Sequence, residues 1–283
     1  MTQHSHTSPV GIHRPRLVGI VNITTDSFSD GNRFLTARDA VSHAHRLRSE
    51  GADVIELGPA ASHPGAEKVS AEEEVRRLAD VLDQLVAEGV PVSVDSYQPT
   101  TQLFAAARGA AYLNDIQGFA DPERYAELAG TGCRLVVMHS VQRRGPATEV
   151  RTDPARVCRG IEEFFAERLT ALEAAGIGRD RLVIDPGLGH FLGSGPEPSL
   201  RTLAGLERLK ARFDVPVLVS PSRKSFLRTL TGSAVSGIGP ATLAAELYAA
   251  RSGADYIRTH DVAALRDALT VFEALESAKE SGW

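Results

Sequence analysis

The chain has 283 residues, more than an ordinary domain needs and the usual span of one α/β barrel. Its 42% hydrophobic and 24% charged content excludes a disordered chain, and a net charge of −5 without a basic block argues against a nucleic-acid partner. No run approaches the length that spans a bilayer, and Cys133 and Cys158 offer neither a disulfide framework nor metal-ligand spacing. These features describe a soluble cytoplasmic protein with two reduced thiols and no membrane partner.

Residues 1–14 lack the apolar core of a signal peptide and read as a disordered leader. No proline-rich or low-complexity linker divides 15–283, which reads as one domain. Short runs rich in Val, Ile and Leu predict strands at 17–23, 53–58, 91–95, 111–114, 134–138, 181–185, 215–220 and 255–259. Apolar residues at helical spacing predict helices at 37–50, 70–88, 98–108, 122–130, 154–175, 199–213, 240–252 and 262–279. Ser70 before AEEEV and Pro122 after Asp121 are helix starts. Gly51, Gly89, Gly109, Gly132, Gly176 and Gly253 stand where helices should stop. Eight strand–helix units predict an α/β fold closed as a (β/α)8 TIM barrel. An open doubly wound sheet usually carries G-x-G-x-x-G after its first strand, and here that loop reads NITTDSFSDGNRF.

A polar residue recurs where each strand runs out, the end at which parallel α/β enzymes carry their chemistry. Asn22 follows LVGIV, Asp95 follows PVSV, Asn114 and Asp115 follow AAYL, and His139 follows LVVM. Asp185 follows RLVI, Ser222-Arg223-Lys224 follow VLVS, and Arg258 and His260 follow DYI. Ser222 reads as an N-cap that puts Arg223 and Lys224 in the first turn of a helix. Two cations at the positive end of a helix dipole imply a bound anion, unless both simply point to solvent. Arg258 and His260 stand beside them, at the loops where barrels most often hold phosphate. Opposite, Asp95, Asn114 and Asp185 can read a flat heterocycle with amino and carbonyl groups. Taken singly each is equally a capping or turn residue, Asp185-Pro186-Gly187 most of all. Together they fit a substrate with a polar ring at one end and phosphate at the other, with Asn22 and substrate oxygens as ligands of a divalent cation.

The chain resembles the dihydropteroate synthases, a folate-pathway family of (β/α)8 barrels. The resemblance runs from residue 16 onward, on GIVNITTDSFSDG at 19–31, GPAASHPGA at 58–66, VSVDSYQP at 92–99 and LNDIQGF at 113–119. VVMHS at 136–140, VIDPGLG at 183–189, SRKSF at 222–226 and YIRTH at 256–260 complete it. It implies that the amino group of p-aminobenzoate displaces diphosphate from hydroxymethyl-dihydropterin diphosphate, with Mg²⁺ as cofactor and no covalent nucleophile. By the same resemblance Asp95, Asn114, Asp185 and Lys224 hold the pterin ring, with Met138 packed against it. Asn22 binds Mg²⁺ and the diphosphate, and Arg258 and His260 clamp the diphosphate with Ser62 and His63 beside them. Arg258 also stacks on the ring, and Lys224, Asp95, Asp185 and Arg258 form the catalytic set. Ser62, Ser225, Pro221 and Phe191 receive p-aminobenzoate. Loops 24–34 and 59–68 close over the site, and the exposed faces of 240–252 and 262–279 form a homodimer.

The departures cluster on the p-aminobenzoate side. The usual G-G-E-S-T-R-P-G of the second loop is here Gly58-Pro59-Ala60-Ala61-Ser62-His63-Pro64-Gly65, so His63 replaces an arginine. Gln117-Gly118 replace an Arg-Ser pair after the fourth strand. These features look like the sulfonamide-insensitive branch of the family. A pocket narrowed by Phe191, Phe226 or Pro221 would reject the bulk of a sulfonyl group, at roughly 1–3 kcal/mol per forced contact. Two other classes are weighed. A pterin-dependent methyltransferase needs no diphosphate clamp, so SRKS and RTH argue against it. A non-catalytic pterin- or sulfonamide-binding protein is favoured only by the altered second loop.

Overall fold

The computed structural model describes residues 14–24 and 36–280; the expected leader, except Arg14, and the expected lid 24–34, except Thr24, lie outside the described residues. Eight strands alternate with helices: β1 Arg16–Asn22, β2 Val54–Gly58, β3 Val92–Asp95, β4 Tyr112–Asp115, β5 Arg134–Met138, β6 Leu182–Asp185, β7 Leu218–Val219 and β8 Tyr256–Thr259. The helices are α1 Ala37–Ser49, α2 Ala71–Ala87, α3 Pro99–Ala107, α4 Tyr125–Ala129, α5 Pro154–Ala174, α6 Glu197–Ala204, α7 Leu206–Phe213, α8 Ser225–Thr231, α9 Gly239–Arg251 and α10 Val262–Glu280. The strands pair in parallel in the order β6-β5-β4-β3-β2-β1-β8-β7. A parallel bridge between Ile184 and Val217, with the Ile184 N–H donating to the Pro216 carbonyl at 2.9 Å, closes β6 onto the approach to β7. The architecture is a (β/α)8 barrel.

Strand parity decides what lies inside, because successive side chains point to opposite faces. Leu17, Ile55, Val94, Leu113, Val137, Ile184 and Ile257 face outward and pack with Leu47, Leu78, Leu82, Phe164 and Phe165 of the helices. The other parity places Val18, Val54, Tyr112, Val136, Val183, Leu218 and Tyr256 together inside the barrel. At its N-terminal end the rings of Tyr112 and Tyr256 meet edge-on, 6.0 Å apart. Arg16 and Arg134 both donate to the Tyr112 hydroxyl, at 3.2 and 3.3 Å. Followed toward the C-terminal ends, the inward parity runs through Glu56 and Ser93 to Asn22, Asp95, Asn114, Met138, Asp185 and Arg258. Asn22, Asp95, Asn114, Asp185 and Arg258 therefore share one mouth, whereas Asp115 and His139, on the outward parity, meet Gln102 and Phe164 of the surrounding helices.

Four expectations change. The seventh strand is two residues rather than 215–220, since Pro216 has no N–H to give to a ladder. The helix expected over 199–213 divides at Gly205 into α6 and α7. The stretch 122–130 begins as a 3₁₀ turn, and α4 ends at Gly130 rather than Gly132. Ser222 does not cap a helix: α8 begins at Ser225, with Lys224 at the N-cap position. The backbone at Arg223 is left-handed, φ 57°, which breaks the chain direction before a helix can start. Among the described residues no helix is long and apolar enough to cross a membrane.

Candidate active site

The centre of the mouth is a buried charge network. Arg258, on β8, forms an ion pair through Nε with Glu56 of β2. Its Nη2 donates to Asp95 Oδ2 at 3.0 Å. Glu56 is completely buried; its Oε2 accepts from the Ser93 hydroxyl and from Asn114 Nδ2, each at 3.2 Å. Burial pushes the Glu56 carboxyl up to about 7 against the pull of Arg258, and it raises Asp95 as well. A charge in such a place persists only when paired. Sequence reading missed Glu56, although a signal existed: a charge at an inward position in the apolar run VIELG.

Lys224 and Asp185 form the opposite wall. The Asp185 carboxylate accepts from the Gly187 N–H at 2.8 Å, and burial raises its pKa to about 6. A Cβ at Gly187 would overlap the His139 carbonyl oxygen, so only glycine lets the loop after β6 lie against that after β5. Lys224 is lowered to about 8, chiefly by burial and then by Arg258, while Asp185, Asp95 and Glu56 hold it up. Its Nζ lies 5.1 Å from the centroid of the Phe191 ring. Phe191 clusters with Met138, Ile116 and Ala147, and Tyr97 packs against them. Three carboxylates thus surround two cations beside an apolar wall, a lining suited to a flat, polar-edged ligand.

On the third side, Ser222 Oγ lies 2.9 Å from His260 Nδ1 and accepts from the His260 N–H at 3.2 Å. That bond engages the oxygen that a cap would have used. Burial, then Arg223 and Arg258, lower His260 to about 3, so its ring is neutral at physiological pH and offers a hydrogen bond rather than a charge. Ser225 opens α8 and packs on Gly189, whose added Cβ would lie 3.3 Å from Ser225 Oγ. The Ser62 carbonyl accepts from the Ala147 N–H at 3.0 Å, joining the second loop to the Phe191 cluster. His63 is exposed, with Nδ1 2.9 Å from the Pro64 carbonyl oxygen. Pro221 is buried at the turn before Ser222. Phe226, in contrast to the expectation, belongs to the core between barrel and helices and does not narrow the pocket.

Among the described residues no group of three or more His, Cys, Asp or Glu is placed to hold a metal by itself. A Mg²⁺ that keeps several waters and takes phosphate oxygens needs only one or two protein oxygens. Asn22 fits that role, since a Cβ at Gly58 would come 3.2 Å from its Oδ1 and glycine leaves the oxygen clear.

Residues 18–260 match the family model of pterin binding enzymes. The chain is 55% identical over 260 residues to a dihydropteroate synthase type-2 of Escherichia coli, covering 92% of this chain and 96% of the relative. Among solved structures, the Xanthomonas albilineans dihydropteroate synthase with 4-aminobenzoic acid superposes with a TM-score of 0.84 at 40% identity, over 94% of each chain. The same enzyme in complex with 7,8-dihydropteroate gives 0.80 at 40% identity, over 94% of this chain and 95% of that one. The chain belongs to the pterin-binding enzymes and, among them, to the dihydropteroate synthases. These are transferases of a non-methyl alkyl group.

Proposed function

We propose that the enzyme condenses hydroxymethyl-dihydropterin diphosphate with p-aminobenzoate in the cytoplasm, and that sulfonamides do not block it. The observation that carries the pterin half is that Asp95, Asn114 and Asp185 end their strands at one mouth, with Lys224 close enough to Asp185 and Asp95 for their charges to hold up its own and Met138 beside Asp185 in the β5–β6 register. Carboxylates accept from ring N–H and amino groups, the Lys224 ammonium donates to a ring carbonyl or nitrogen, and Asn114 supplies an amide. Arg258 and His260 face the diphosphate, the first as a cation and the second as a neutral hydrogen-bonding ring. Asn22 would hold Mg²⁺, and the ion would supply neutralisation of the phosphate oxygens.

Breaking the C–O bond separates an anionic leaving group from a ring that gains positive charge. Asp95 and Asp185 beside the ring favour that developing charge, an electrostatic contribution that needs no covalent intermediate. Ser225 and Ser62 hold the carboxylate of p-aminobenzoate, so its amine is positioned to attack without a strong base. Phe191 packs with Met138 and lies under Lys224 Nζ, and its bulk on this side supports the reading that a planar carboxylate is accepted and a substituted sulfonyl rejected. Diphosphate release measured with both substrates and Mg²⁺ should persist with sulfamethoxazole present. Inhibition at concentrations that stop an ordinary synthase would remove the resistance reading, and no release would remove the synthase reading.

The chain also reads as a homodimer through α9 and α10, where Tyr248, Val271 and Leu275 are exposed. Sedimentation at the monomer mass across micromolar concentrations would dismiss that assembly.

A further inference from the structure

Glu56 has no part in the roles given above, yet three of the residues named there are arranged through it. It lies inside the barrel, opposite Ser93 in the β2–β3 register. An ionised carboxylate has only acceptor atoms, so each polar neighbour must turn a donor toward it. Asn114 does so with Nδ2 at 3.2 Å, which commits its NH₂ group and leaves Oδ1, buried and without a partner among the described residues, as the atom it can offer. Arg258 faces it through Nε in an ion pair rather than a hydrogen bond, and that pairing aims Nη2 at Asp95 Oδ2, 3.0 Å away. Ser93 completes the set with its hydroxyl at 3.2 Å.

We propose that Glu56 is a positioning residue that sets the hydrogen-bonding pattern shown to the pterin ring. It turns the Asn114 amide so that the oxygen is offered as an acceptor, and it holds Arg258 against Asp95. The inference rests on the reading of Asn114 and Asp95 as ring-binding residues. Glutamine at position 56 keeps the shape but brings its own N–H groups and no charge. Asn114 is then free to turn over, and Arg258 loses the partner that aims it.

The test is calorimetric binding of an unreactive oxidised pterin, 6-hydroxymethylpterin, to wild type, Glu56→Gln, Glu56→Asp, Asn114→Ala and the double variant E56Q/N114A. Melting temperature and the KM for p-aminobenzoate are read alongside. E56Q should weaken pterin binding by roughly tenfold or more, the loss expected for a charge-assisted hydrogen bond. Its p-aminobenzoate KM and melting temperature should stay near wild type. E56D, which keeps the charge, should recover part of the affinity, and E56Q should cost less in the N114A background than in wild type, the remainder being the part carried through Arg258. Wild-type pterin affinity in folded E56Q, or equal losses for both substrates together with a fall in melting temperature, would overturn the proposal. Wild-type affinity in N114A would instead overturn the ring-binding assignment, and this inference with it.

Discussion

Two side chains in the mouth titrate on either side of neutrality, and for opposite reasons of charge. Burial disfavours whichever form is ionised, so it lifts Asp185 to about 6 and lowers Lys224 to about 8. Below about 6 Asp185 gains a proton and stops accepting on both oxygens; above about 8 Lys224 loses one and with it the cation. The kcat/KM for the pterin substrate should therefore rise and fall around a maximum between those values, with Glu56, at about 7, broadening the acid side. Asp185→Asn should flatten the acid limb at a much lower plateau. Lys224→Arg should erase the alkaline limb, because a guanidinium stays charged throughout. A pH–rate profile that is level from about 5.5 to 9 in the wild type would contradict these assignments.

At the level of strands and helices, the sequence was legible wherever an element is buried on both sides. β1, β5 and β6 are near-continuous apolar runs, and each fell within one residue of its expected bounds. The polar residue ending each run was visible for the same reason, as a break in hydrophobicity at a strand tip. What stayed hidden depends on geometry between distant segments. β7 reads as six residues, but Pro216 has no N–H to give and Val217 gives its own to the Asp255 carboxylate, so the ladder starts only at Leu218. Ser222 has the composition of a cap, yet His260, 38 residues away, takes its oxygen. Phe191 and Phe226 look alike in the chain; one lies beside Met138 and the other in the outer core. Glu56 escaped because it lies in the middle of the expected strand 53–58, while the polar residues that stood out were those at strand ends.

In the whole molecule, the interior is stoppered at one end. Tyr112 and Tyr256, with Arg16 and Arg134 on the Tyr112 hydroxyl, stop the barrel below the valine layer. Everything that enters must leave by the same door, and the ligand groups lie along it at different depths. Asn114 and Asp185 are buried, Ser62 and Ser225 are half-buried, and His63 is at the surface. A ring that reaches the deep groups has to pass the rim before the rim is taken. Depth thus sets the order of use of a shared opening: pterin enters first, p-aminobenzoate second, and the joined product leaves last. Labelled p-aminobenzoate alone should be retained weakly in equilibrium dialysis, and more strongly once a pterin and diphosphate are present. Equal retention in both cases would mean that depth imposes no order of arrival.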